Sequence, residues 1–174
     1  MIRRQADLDG LDAVVLPGGE STTMVRLLDL NSLFEPLRER VTAGLPTLGT
    51  CAGAILLART ISEGRADQRG LGTLDISVRR NGYGRQIASC EAEIHLGRPS
   101  WTEPPSPTGA PFPAIFIRAP IIESAGPAVE VLATHEERPV LVRSAAMIAT
   151  TFHPELSADT RIHELFLSLI PGSL

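Results

Sequence analysis

The chain has 174 residues, of which 43% are hydrophobic and 21% charged, with a formal net charge of −4; one compact domain over residues 1–174 with a core that needs no disulfides is the expectation. That acidic balance argues against a nucleic-acid partner, because phosphate binding calls for clustered positive charge. All 16 basic residues are arginine, which excludes Schiff-base catalysis and a Walker A phosphate loop, since both need a lysine amine.

The amino-terminal stretch MIRRQADLDG carries charges without an apolar run behind it, and no segment approaches the roughly 18 apolar residues of a membrane span. A cytoplasmic protein with no membrane partner is expected. Asp12 to Leu16 (DAVVL) is continuously apolar and ends at Pro17-Gly18-Gly19, as suits a buried parallel strand. Ser21 or Thr22 then caps a helix bearing Met24, Leu27 and Leu28, and a second helical stretch carries Leu33, Phe34, Leu37 and Val41 until Gly44 and Pro46 stop it. Pro46 to Thr50 reads as another strand, with a helix starting at once in CAGAILLART. Strand, helix, strand, helix is the α/β signature.

The second half reads as strands at Asp75–Arg79, Ser89–Leu96, Ala114–Arg118, Val129–Ala133, Val140–Val142 and Met147–Phe152. Glu136 to Pro139 reads as a hairpin turn between two of them. A mixed sheet follows, parallel in the centre with antiparallel additions. Residues 97–113 hold six prolines without helical or alternating pattern and read as a surface loop rather than a linker. RIHELFLSLI puts Ile162, Leu165, Phe166, Leu169 and Ile170 on one face of a closing helix, capped by Ser157 or Asp159.

Gly49-Thr50-Cys51-Ala52-Gly53 has the G-x-C-x-G form of a nucleophile elbow, its glycines allowing a tight strand-to-helix turn that thrusts the cysteine outward. The start of a helix favours thiolate over thiol; the plain alternative is a small buried residue. Of four histidines, His95, His135, His153 and His163, only His153 comes with an obvious orienting group, in Phe152-His153-Pro154-Glu155-Leu156. Backbone N–H groups of Gly18, Gly19 and Ala52 are candidates for an oxyanion hole, against the alternative of an ordinary strand-to-helix turn. Arg80 and Arg118 each follow an apolar strand and suit a carboxylate, although most arginines are solvated surface charges. Cys90 reads as core, two cysteines are too few for a disulfide framework, and no Cys/His cluster has metal-ligand spacing.

A cysteine elbow followed about a hundred residues later by His-x-Glu is the pattern of class I glutamine amidotransferases. The strings LPGGESTT, GTCAGAILLA, RRNGYGRQ, FIRAP, FHPEL and RIHELF, in order from Leu11 to Phe166, closely resemble the glutaminase subunits of pyridoxal phosphate synthase. The resemblance implies a flavodoxin-like three-layer α/β fold with a mixed, mainly parallel central sheet, without the extra first strand and helix with which the family usually begins. It implies hydrolysis of L-glutamine to glutamate and ammonia with Cys51 as nucleophile, His153 as general acid/base and Glu155 orienting it. By the same matching, Gly19, Glu20, Ser21, Arg80, Ile117 and Arg118 would bind glutamine, with Glu20 meeting the α-ammonium and an arginine the α-carboxylate. No cofactor and no metal are implied. The partner would be the lysine-using synthase subunit, joined in a large hetero-oligomeric ring, without which the glutaminase is nearly silent. Two other readings stay open: a non-catalytic module that docks on the synthase, and another Cys-His amidase of the same fold.

Overall fold

The computed structural model describes residues 1–63, 68–80, 89–97 and 109–172. In chain order its first half runs β1 (Val14–Leu16), α1 (Ser21–Leu30), α2 (Phe34–Thr42), β2 (Thr47–Thr50), α3 (Ala52–Leu57), β3 (Ala58–Ser62) and β4 (Leu74–Arg79). The second half runs β5 (Ser89–Ile94), β6 (Phe112–Ile117), β7 (Ile121–Ala125), β8 (Glu130–His135), β9 (Arg138–Ser144), β10 (Met147–Thr150) and α4 (Arg161–Leu167).

The main sheet has the order β1-β2-β10-β9-β8. β1, β2 and β10 are parallel, whereas β9 and β8 add on antiparallel. β2 and β10 are buried at every position, which is why TLGT and MIAT show no alternation. Successive side chains serve opposite layers. Met147 and Ala149 of β10 join α1, α2 and α3 in one apolar cluster, while Ile148 joins Phe112, Phe116, Phe152, Ile162 and Phe166 in a second on the other face. The sheet is therefore the middle of three layers, and the carboxyl ends of its parallel strands all point to one rim.

The expected single sheet is instead accompanied by two smaller ones. β3, β4 and β7 form one of these, and β5 pairs with β6 in a two-stranded ribbon. The helix expected through residue 60 stops at Leu57, because Ala58 turns extended (φ −58°, ψ 143°) and Ala58–Ser62 pairs in parallel with β4. β7 has no counterpart in the sequence reading; its residues IIESA pair antiparallel with β4.

Three local readings also change. The cap of α1 is Glu20, whose carboxylate accepts from Thr22 N at 3.1 Å and Thr23 N at 2.6 Å; Ser21 and Thr22 lie inside the helix. Its buried face centres on Val25, leaving Leu27 54% exposed. The cap position of α4 is Thr160, while Asp159 bonds Arg161 through its backbone N (3.1 Å) and guanidinium. The hairpin turn is only Glu136-Glu137, both at positive φ as a two-residue turn requires. The expected 97–113 loop gives way to β6 at Phe112, which pairs with Ile94. Most of that loop, residues 98–108, lies outside the described residues, as do 81–86 of the RRNGYGRQ string.

Candidate active site

Cys51 stands where β2 turns into α3, with φ 50° and ψ −102°, a conformation that L side chains rarely adopt. Two sets of backbone bonds impose it. Cys51 N donates to Thr150 O at 2.8 Å, and Cys51 O accepts from Ala54 N at 3.1 Å and Ile55 N at 3.3 Å. Such strain amounts to about 1–3 kcal/mol and persists only where surrounding structure over-determines it. The flanking glycines do not supply the turn, since the positive φ sits at Cys51 itself. They permit close approach: a Cβ on Gly53 would overlap the Leu16 carbonyl at the end of β1, and one on Gly49 would lie 2.8 Å from the Gly53 backbone. Elbow and sheet thus interlock.

The thiol itself departs from expectation. Burial pushes the Cys51 thiol up to about 11; the Ala52 N–H pulls it down, the Glu155 charge raises it, and the Arg118 charge lowers it. Desolvation outweighs the single N–H that a six-residue helix aims at the sulfur. Cys51 is therefore a thiol at rest, with Sγ 3.8 Å from Ile117 O.

His153 follows β10. Its N–H donates to Ile115 O of β6 at 2.8 Å, and Pro154 opens a short 3-10 turn that returns Glu155 to the imidazole. Nδ1 lies 2.8 Å from Glu155 Oε1. A carboxylate there selects the tautomer with the proton on Nδ1 and leaves Nε2 free to accept one. The ring lies close against Gly18, where a Cβ would overlap its Cε1 atom. His95 is exposed, His135 stacks on Phe116 at 5.3 Å, and His163 rides on α4.

A cavity of about 220 Å³ opens at this rim, lined by Gly19, Glu20, Ser21, Cys51, Ala52, Ile55, Arg80, Ile117, Arg118 and His153. Eight of the nine residues expected to react with or bind a substrate thus line the cavity; the ninth, Glu155, stands behind His153. Gly18, expected as an oxyanion donor, supports the imidazole, whereas Gly19 and Ala52 face the cavity. Ile55 is an apolar addition from α3. Among the described residues no group of His, Cys, Asp and Glu is placed to hold a metal, and no helix is long and apolar enough to cross a membrane.

The far wall is a hydrogen-bonded lattice. Glu20 caps α1, accepts from Thr23 Oγ1 at 2.7 Å and pairs with Arg80 Nη2 at 3.0 Å. The Thr23 hydroxyl and the backbone N–H groups of Thr23 and Thr22 hold its carboxyl at about 2, against the smaller opposing effect of burial. Glu20 is already engaged rather than waiting for an ammonium group. Arg80 Nη1 donates to Gln68 Oε1 at 2.8 Å and to Thr22 Oγ1 at 3.3 Å. Nothing in the sequence around Gln68 marks it for this wall. Arg118 sits at φ 46° and is exposed, with no carboxylate within ion-pair distance among the described residues.

The arrangement has known relatives. The model of the SNO glutamine amidotransferase family matches residues 1–170. A pyridoxal 5'-phosphate synthase subunit PdxT from Frankia alni is 51% identical over 172 residues, 99% of this chain and 82% of its own length. Another, from Kosmotoga olearia, is 48% identical over 171 residues, 98% of this chain and 84% of its own. A crystal structure of a glutamine amidotransferase matches with a TM-score of 0.85 at 42% identity, over 97% of this chain and 84% of that one.

Proposed function

Since the chain belongs to the SNO glutamine amidotransferase family, we propose that residues 1–174 form one glutaminase domain that hydrolyses L-glutamine and hands the ammonia to a pyridoxal 5'-phosphate synthase subunit. The near full-length identity to synthase subunits of that kind supports the substrate and the partner. The observation that carries the mechanism is the cavity lined by both the strained Cys51 and the carboxylate-backed His153.

His153 Nε2 takes the thiol proton as Sγ attacks the carboxamide carbon. The carbonyl oxygen becomes an oxyanion facing the backbone N–H groups of Gly19 and Ala52. The imidazolium, steadied by Glu155, returns its proton to the amide nitrogen, which leaves as ammonia with a γ-glutamyl thioester on Cys51. Water then attacks the thioester carbon, giving its proton to His153, and glutamate departs as the proton returns to sulfur. The guanidinium of Arg118 meets the α-carboxylate, and Arg80 adds its remaining N–H groups. No cofactor enters this sequence. Docking on the synthase subunit in a hetero-oligomeric ring in the cytoplasm would activate the site.

Ammonia release from L-glutamine by the chain, alone and with the synthase subunit, tests the reading, with Cys51→Ala as control. Release that needs the synthase and vanishes in the variant is the expected result. Docking without release would make the chain a binding module only.

A further inference from the structure

Gln68 stands between β3 and β4, far in sequence from everything it touches, yet it joins both sides of the recognition wall. Its Oε1 accepts from Thr22 Oγ1 at 2.7 Å and from Arg80 Nη1 at 2.8 Å, while its Nε2 donates to Ser21 Oγ at 3.3 Å. One amide therefore uses its acceptor on the arginine and the helix start together, and one donor on the hydroxyl next to Glu20. Such a two-sided role needs both an acceptor and a donor, which among side chains of this length only an amide supplies.

We infer that Gln68 is a positioning residue that holds Arg80 toward the α-carboxylate of bound glutamine; the inference rests on the glutaminase reading above. An arginine left alone samples many rotamers, and ordering it on binding weakens affinity. Here Glu20 holds Nη2 while Gln68 and Thr22 hold Nη1, so the guanidinium is fixed before substrate arrives. The neutrality of Gln68 matters as well. Arg80 already faces one carboxylate, and a second at position 68 would cancel the charge that attracts a substrate anion. Gln68 touches no reacting atom, so its removal acts on binding rather than on the thiol.

The test uses the full chain with the synthase subunit. Gln68→Ala raises KM for glutamine about 10-fold while kcat stays within about twofold. Alkylation of Cys51 by iodoacetamide, which needs no α-carboxylate, keeps its wild-type rate. Gln68→Met, which preserves length and bulk, gives the same KM rise and guards against a folding defect in the alanine variant. In an Arg80→Ala background the Gln68→Ala change adds nothing further to KM, because its route of action is already gone. An unchanged KM in both single variants, an additive effect in the double variant, or a fall in kcat matched by slower alkylation would each overturn the positioning role. A wild-type complex that releases no ammonia would instead remove the glutaminase reading beneath it.

Discussion

The two walls of the cavity are built on opposite plans. The reacting wall is strained and under-stabilised: Cys51 sits at φ 50°, its thiol is pushed up to about 11, and its sulfur meets the Ala52 N–H and, at 3.8 Å, Ile117 O. The recognising wall is cross-bonded, with Glu20, Thr22, Thr23, Gln68 and Arg80 tied to one another. A nucleophile kept as a thiol does not react before its substrate and base are aligned, and the backbone that strains it is anchored in the most buried strands. A recognition surface gains from the reverse, since groups already ordered lose little entropy when ligand arrives. Stored strain marks where bonds change, and satisfied hydrogen bonds mark where a ligand is measured.

Breaking the reacting wall has the larger consequence. Glu155→Gln removes the charge that fixes the His153 tautomer, and ammonia release in the complex falls by on the order of 10²–10⁴-fold. Iodoacetamide alkylation of Cys51 survives, and because the Glu155 charge raises the thiol pKa, its rise with pH shifts to lower pH. In the unaltered free chain the alkylation rate keeps climbing through pH 9 without levelling before about 11. A plateau near neutral pH would mean a thiolate at rest and would erase the contrast between the walls.

The frame beneath the elbow comes next. Gly53→Ala forces a methyl group into the Leu16 carbonyl, and since that atom is backbone in the central sheet, relief requires moving β1 from α3. A loss of about 3 kcal/mol in urea unfolding is expected. Gly19→Ala, where φ is 147° but nothing stands within 4 Å, loses only about 1 kcal/mol from strain. Equal losses would show that the tight approach at Gly53 is not what holds the elbow.

The same contrast explains what the sequence made legible. Cys51, His153 and Glu155 lie in short contiguous strings whose backbone setting, strand then turn, follows from local pattern, so their meeting at one rim was foreseeable. The thiol's ionisation was not, because helix position is local while burial beneath β6 and the 3-10 turn is tertiary. Gln68 was invisible for a related reason: it lies 12 residues before Arg80 and 46 after Thr22, and only the tertiary fold brings the three together. Helix period carried the expected α3 through Ala58–Thr60, although β-branched Thr60 and Ile61 are better suited to the strand they form. Ser21 and Thr22 are natural caps for α1 because hydroxyl residues favour that place, but Glu20 reaches two N–H groups and an arginine at once.

The smallest effect lies in the recognising wall and is read through pH. The Glu20 carboxyl is held at about 2 against an ordinary value of 4.5. A carboxyl whose pKa is lowered by folding contributes stability above its unfolded value and loses it as pH falls through the folded one. Glu20→Gln therefore lowers the urea midpoint at pH 7, by an amount equivalent to less than about 1 kcal/mol because the side chain is half exposed and solvent screens it. The gap between variant and wild type narrows from pH 4.5 downward and closes near pH 2. A gap that persisted at pH 2 would make Glu20 a packing residue, and the order of the recognising wall would then rest on Gln68 and Thr22 alone.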